Sequence, residues 1–227
     1  MSRPGAAPLA TGVGMASQAM RLAMVRKLEA QGVKDPGVLQ ALRTVERHRF
    51  VDSALANQAY EDTSLPIGMG QTISKPNVVA RMLELLCQGR DQPLGRVLEI
   101  GTGCGYQAAL LSHLSREVYS MERVRSLHER ARENLRGMQL SNLHLLFGDG
   151  MPGFPRGAPY AAIIAAAGGE GLPSAWVDQL AVGGRLVAPA IGDAGQQRLI
   201  VIDKTRTGVV RSELEAVMFV PLKSGIA

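Results

Sequence analysis

The sequence predicts an α/β fold, a doubly wound and mostly parallel sheet with helices ahead of it and an antiparallel hairpin at one edge. Three observations carry this expectation. Short apolar runs alternate with helical stripes from Arg96 to Val187, the pattern of parallel strands joined by right-handed crossovers. The first of those strands runs directly into a glycine-rich turn and then a helix. Near its end the chain has two strand-like runs separated by Thr205-Arg-Thr-Gly208, a hairpin signal.

Taken in order, residues 1–14 are rich in Ala, Pro and Gly and are expected to form a flexible tail. They lack the continuous apolar core of a signal peptide, and no later run reaches the length of a membrane span. A cytoplasmic protein with no membrane partner is the expectation. Residues 15–227 are expected to form one domain, with helices and a long loop in 15–90 and the sheet in 91–227. Met20, Met24, Val25 and Leu28 recur at helical spacing, and Gly32 closes that helix. Asp35-Pro36 reads as an N-cap followed by a first-turn proline, leading into Val38, Leu39, Leu42 and Val45. From Leu65 to Pro76 glycine and proline crowd together, predicting a loop with a fixed course; such loops in compact domains are often functional. A helix with Val78, Val79, Met82, Leu85 and Leu86 on one face follows.

Buried strands are predicted at Val97–Ile100, Val118–Met121, Leu143–Phe147, Ala161–Ala165 and Arg185–Val187. Tyr106–Leu114, Val124–Met138 and Pro173–Leu180 are the helices between them. Arg198–Asp203 and Leu214–Val220 are the expected edge hairpin.

Bulk chemistry narrows the function classes. A chain of 227 residues buries about 70% of the surface its unfolded form exposes, so no metal or disulfide is needed to hold it. Cys87 and Cys104 have neither CxxC spacing nor histidine partners and read as reduced thiols. His48, His113, His128 and His144 are spread without ligand spacing, so no metal is expected. The formal charge is +5, but the bases are mixed with acids. Between Arg116 and Arg136 six arginines are interleaved with Glu117, Glu122, Glu129 and Glu133. That is the texture of a solvated helix face, and no nucleic-acid partner is expected.

The most informative stretch is Val97-Leu-Glu-Ile-Gly-Thr-Gly-Cys-Gly-Tyr106. A buried strand ends in Gly101-x-Gly103-x-Gly105, where bare backbone lets a ligand approach at the strand ends. The dinucleotide fingerprint G-x-G-x-x-G fails, because its last position is Tyr106. Glu99 precedes the first glycine instead, which is similar to the class I, S-adenosylmethionine-dependent methyltransferases and their Rossmann-like fold. Glu122 stands at the end of the second strand, about 20 residues after the first glycine, where a ribose-binding carboxylate is expected. Asp149, in Phe147-Gly-Asp-Gly150, ends the third strand; Asp-Gly is also an ordinary turn pair.

Further strings sharpen the resemblance. Arg49-Phe-Val-Asp52, Tyr60-Glu-Asp62, Leu65-Pro-Ile-Gly-x-Gly-Gln-Thr-Ile-Ser74, the Glu99–Tyr106 block, Gly148-Asp-Gly150 and Val217-x-Phe-Val-Pro-Leu222 together resemble the protein-L-isoaspartate O-methyltransferases. Gly70-Gln-Thr-Ile-Ser74 is the string most specific to that family. The resemblance runs from about Met20 onward. It implies S-adenosylmethionine as cofactor, held by Glu99, Gly101, Thr102, Gly103, Gly105, Glu122, Asp149 and Gly150. It implies isoaspartyl-containing proteins and peptides as partners, with Thr72, Ile73 and Ser74 binding the substrate carboxylate and Ser74 in the catalytic role. A monomer is expected. Ser74 has a second reading, as the N-cap of the helix that starts after Lys75.

Two departures stand out. Ala161 replaces the acid that usually opens the fourth strand, and Gly168-Gly169 replace bulkier residues beyond its end. Both are expected to face cofactor and substrate. Rival functions fit less well. A nucleic-acid methyltransferase would carry a Pro-Cys nucleophile or an Asn/Asp-Pro-Pro-Tyr clamp, whereas Cys87 follows Leu86 and Ala158-Pro-Tyr160 precedes the fourth strand. Tyr106 disfavours a nicotinamide oxidoreductase. A cofactor-binding protein without turnover draws support only from the altered fourth strand.

Overall fold

The alternation of apolar runs and helical stripes resolves into a seven-stranded sheet in the computed structural model, which describes residues 11–90 and 93–227, with side chains from Ser17 onward. Helix α1 (Thr11–Ala30) opens the chain, so it already includes the last four residues read from sequence as a tail; residues 1–10 lie outside the described residues. Gly32 follows with φ +106°. In α2 (Pro36–Thr44) the Asp35 carboxylate accepts from the Val38 N–H at 2.9 Å, ahead of the first-turn proline, as the sequence predicts.

The glycine- and proline-rich segment is more regular than a loop. It is a small antiparallel hairpin, β1 (Leu65–Gly68) and β2 (Gln71–Ile73). Met69 and Gly70 form its two-residue turn with φ +53° and +67°, the left-handed pair that suits the twist of a tight hairpin. Helix α3 (Pro76–Cys87) follows and buries Val79, Met82, Leu83 and Leu86.

The large sheet has the order β5-β4-β3-β6-β7-β8-β9. Its strands are β3 (Leu94–Ile100), β4 (Ser115–Glu122), β5 (Leu143–Phe147), β6 (Tyr160–Ala165), β7 (Leu180–Ile191), β8 (Gln197–Lys204) and β9 (Val209–Ala216). The first five are parallel, while β8 and β9 run antiparallel at the edge. Helices α4 (Tyr106–Leu114), α5 (Arg125–Leu135) and α6 (Ser174–Asp178) make the crossovers. The hairpin turn falls where expected, but the last strand starts immediately after it, at Val209. Residues 217–222 are outside the sheet.

Alternation along the strands divides the core into two faces. Val97, Ala162, Ile164, Val187 and Leu199 pack with the N-terminal helices, α3 and α4. Leu98, Ile163, Leu186, Ala188 and Ile200 pack with Trp176 and Tyr160 on the other side. The order reverses at β3, whose neighbours are β4 on one side and β6 on the other. That switch point leaves a crevice beyond the carboxyl ends of the strands.

Candidate active site

At the end of β3 the backbone turns through three left-handed glycines, Gly101, Gly103 and Gly105, at φ +91°, +56° and +93°. Side chains rarely tolerate that conformation, so the spacing is set by the turn itself. Gly105 has a packing reason as well: a Cβ there would stand 2.9 Å from Leu135 Cδ1, so α5 closes on this point.

A cavity of about 620 Å³ opens above the turn, a volume suited to a cofactor-sized ligand. Gly101, Thr102, Gly103, Glu122 and Gly150 line it, together with Thr72, Ile73 and Ser74. Glu99 and Gly105 are buried beneath this lining, while Asp149 is part-exposed beside the lining residue Gly150. Glu99 is fully buried. Its carboxyl accepts from Gln107 Nε2 at 3.0 Å and from the Ser120 hydroxyl, which in turn meets the Thr102 hydroxyl at 2.6 Å. Glu99 and Ser120 are register partners on β3 and β4. Burial pushes the Glu99 carboxyl up to about 8, against the opposing effect of those hydrogen bonds. Glu99 thus fixes the floor, Thr102 and Gln107, on which a ligand would rest.

Glu122 is oriented by two backbone donors, the Gly103 N–H to Oε2 at 2.8 Å and the Val124 N–H to Oε1 at 2.9 Å. Each oxygen keeps a further acceptor site toward the cavity. Asp149 is held in the same way: Oδ1 accepts from the Met151 N–H at 2.8 Å and Oδ2 from the Gly225 N–H at 2.7 Å, which leaves each oxygen a further acceptor site. The segment carrying Gly225 lies against the β4–α5 loop, with the Ala227 N–H on Arg123 O and the Arg125 N–H on Ala227 O, each at 2.8 Å. Ala227 itself lines the cavity.

A second cavity of about 710 Å³ adjoins the first, lined by Asp62, Ser64, Lys75, Gln197 and Val217–Phe219 among others. Thr72, Ser74, Ala166 and Val220 line both. The competing role for Ser74 is not taken. The N-cap position of α3 is Lys75, with no side-chain cap bond. The orphan Asn77 N–H is met across 15 residues by Asp62 Oδ1 at 2.9 Å. The Tyr60-Glu-Asp62 string therefore caps this helix from outside and leaves the serine hydroxyl facing the cavities.

Sequence reasoning missed several of these residues. Ala166 and Ala167 line the first cavity beyond the end of β6. Ala161 lies at the opposite end of that strand, beside Gly95, so the expectation that it faces cofactor and substrate is wrong; a parallel strand presents only its carboxyl end to the crevice. Arg130, taken as part of a solvated face, donates from Nη1 to Ile67 O at 2.8 Å and ties β1 to α5. Ser120 was detectable, because a polar residue inside a buried strand needs a partner, and Glu99 is the polar residue of the neighbouring one. Among the described residues no group of three or more His, Cys, Asp or Glu side chains is arranged to hold a metal. None of the described helices is long and apolar enough to cross a membrane.

The sequence and fold are shared with known proteins. The family model described as protein-L-isoaspartate(D-aspartate) O-methyltransferase matches residues 19–227. The protein-L-isoaspartate O-methyltransferase of Methylibium petroleiphilum is 58% identical over 219 residues, covering 94% of this chain and 81% of the relative. That of Leptothrix cholodnii is 59% identical over 219 residues, covering 94% and 77%. A solved protein-L-isoaspartate O-methyltransferase superposes with a TM-score of 0.81 at 28% identity, covering 91% of this chain and 67% of its own. A Plasmodium falciparum structure described as a protein of the same kind, in complex with S-adenosyl-L-homocysteine, gives 0.75 at 26% identity, covering 88% and 97%. The chain belongs to the protein-L-isoaspartate O-methyltransferase family.

Proposed function

We infer that this chain transfers a methyl group from S-adenosylmethionine to the free α-carboxylate of L-isoaspartyl residues in damaged proteins and peptides. The observation that carries the reading is the meeting of two cavities at Thr72, Ser74, Ala166 and Val220. One has a glycine-lined floor and an oriented carboxylate suited to a nucleoside; the other is an open groove suited to a peptide. The bare backbone at Gly101 and Gly103 and the spare acceptor sites of Glu122 fit S-adenosylmethionine.

When bound, that cofactor supplies an electrophilic methyl group on a cationic sulfonium. The residues of the chain supply position. The substrate carboxylate, with a pKa of roughly 3–4, is already ionised at neutral pH and needs no general base. The Ser74 hydroxyl donates a hydrogen bond to one carboxylate oxygen and aims the other across the shared wall. Ile67, Ile73, Val79 and Leu222 line the cofactor side with apolar surface and limit water, which favours a reaction that merges opposite charges. Holding the partners in line supplies much of the rate. The methyl ester formed is a better acyl electrophile than the carboxylate, so the next backbone nitrogen attacks its carbonyl, methanol leaves and a succinimide closes, whose hydrolysis restores some normal aspartate.

The chain acts as a monomer in this reading, since residues of one chain complete both cavities; sedimentation in solution tests it. A cytoplasmic setting is in keeping with two buried, unbridged thiols, Cys87 and Cys104. The function itself is tested by transfer of labelled methyl from S-adenosylmethionine to a peptide containing L-isoaspartate, beside the same peptide with normal aspartate. Label on the isoaspartyl peptide alone is the expected result. Equal labelling of both, or of neither, would sink the reading.

A further inference from the structure

We propose that Gln197 is a positioning residue for the protein substrate, clamping the backbone of Phe219 so that residues 217–222 form a fixed wall between the two cavities. The proposal rests on the reading of the second cavity as the peptide groove. After β9 ends at Ala216, the chain leaves the sheet and loses its ladder of hydrogen bonds, yet it lines both cavities. Backbone groups cut off from a ladder need other partners. Gln197 provides three of them. Its main-chain carbonyl accepts from the Val217 N–H at 2.9 Å. Its side-chain Oε1 accepts from the Phe219 N–H, and Nε2 donates to Phe219 O at 3.5 Å.

Gly168 holds the same segment from the other side. Its N–H donates to Val220 O at 2.9 Å and its carbonyl accepts from the Leu222 N–H at 2.8 Å, a parallel bridge centred on Pro221. Gly168 is absent from the residues with positive φ, so its backbone conformation does not require glycine. Space does. A Cβ on Gly168 would clash with Gln197 Nε2 and lie 2.6 Å from its Cδ. The departure at Gly168 and the clamp at Gln197 are therefore one device: the missing side chain is the slot through which the amide reaches Phe219. The clashing atoms are the far end of a flexible side chain, so alanine at 168 displaces the amide and leaves the fold standing.

The test is a double-mutant cycle read by steady-state kinetics on an isoaspartyl peptide, with S-adenosylhomocysteine affinity measured alongside. Gln197→Ala is expected to raise the peptide KM about tenfold, the effect of a lost hydrogen-bonded clamp, with kcat and S-adenosylhomocysteine affinity within about twofold of the parent. Gly168→Ala is expected to do the same, although it leaves the glutamine in place. In the Gln197→Ala background Gly168→Ala should be silent, because its target is gone. Gln197→Glu keeps the acceptor for the Phe219 N–H and should fall between. An unmoved peptide KM in Gln197→Ala, or additive effects in the double variant, overturns the proposal while leaving the methyltransferase reading intact. A parent protein that labels no isoaspartyl peptide overturns that reading and this proposal with it.

Discussion

The two halves of the site are built by different means. The half that we assign to the cofactor is made from strand ends: β3 delivers Glu99 and the glycine turn, β4 delivers Glu122, and sheet register aligns Glu99 with Ser120. The half that we assign to the substrate is assembled from segments more than 140 residues apart, the β1–β2 hairpin and residues 217–222. Single side chains tie these pieces to the frame: Arg130 to Ile67 O, Asp62 to the Asn77 N–H, and Gln197 to Phe219. A sheet places its strand ends cooperatively, whereas each tie can be cut alone. Damage to the first half should therefore appear in cofactor affinity, and damage to the second in peptide KM or turnover.

The largest separation is expected from Glu122→Ala. It removes the carboxylate that faces the cavity and frees the Gly103 and Val124 N–H groups. Charge-assisted hydrogen bonds are worth about 1.5–3 kcal/mol each. S-adenosylhomocysteine affinity, measured by calorimetry, should fall about a hundredfold, with little change in peptide KM at saturating cofactor. Ser74→Ala should do the reverse: kcat falls about tenfold for the loss of one oriented hydrogen bond, and cofactor affinity stays put. A matching loss of cofactor affinity in Ser74→Ala would break the division.

How well each half could be read from sequence follows the same line. Strand ends, glycine spacing and the carboxylate at Glu122 are contiguous or set by strand period, so five strands, three crossover helices and the glycine turn were legible. The β1–β2 hairpin reads as a loop in the sequence because its turn uses Met69, which sequence rules do not place in a left-handed conformation. Asp149 reads from the sequence as a ligand contact, and no local pattern shows that the Gly225 N–H, 76 residues later, also donates to its carboxylate. The roles of Gln197 and Asp62 are hidden in the sequence for the same reason: their partners are backbone atoms 22 and 15 residues away.

A pH measurement sharpens the contrast from the cofactor side. Burial raises the Glu99 carboxyl from 4.5 to about 8. Below pH 4.5 both folded and unfolded chains hold this proton. Between 4.5 and about 8 the folded state keeps it and the unfolded state has lost it, so stability declines with rising pH and levels off above. Glu99→Gln should remove that slope from a Tm-against-pH profile while keeping the neutral contacts to Gln107 and Ser120. A slope unchanged in the variant would show that other groups produce it.

The smallest effect belongs to Asp62→Ala. Losing a helix cap costs about 1 kcal/mol, or roughly 2–4 °C in Tm for a chain of this size. Ser74, which directly precedes the Lys75 N-cap, is then expected to turn toward the α3 terminus, so the variant should also raise peptide KM, and Ser74→Ala in that background should cost less kcat than in the parent.

The outer strand β9 has a bearing on the company this protein keeps. Its substrates are damaged chains, some of them unfolded enough to seek any open row of backbone groups. Past the exposed Val209 and Val210, β9 presents Arg211, Glu213 and Glu215, which pair with Asp193, Arg198 and Arg81. A charged border of this kind is a poor template for a stray strand. The protein can thus admit a misfolded neighbour to its groove without offering its sheet as a seed for aggregation.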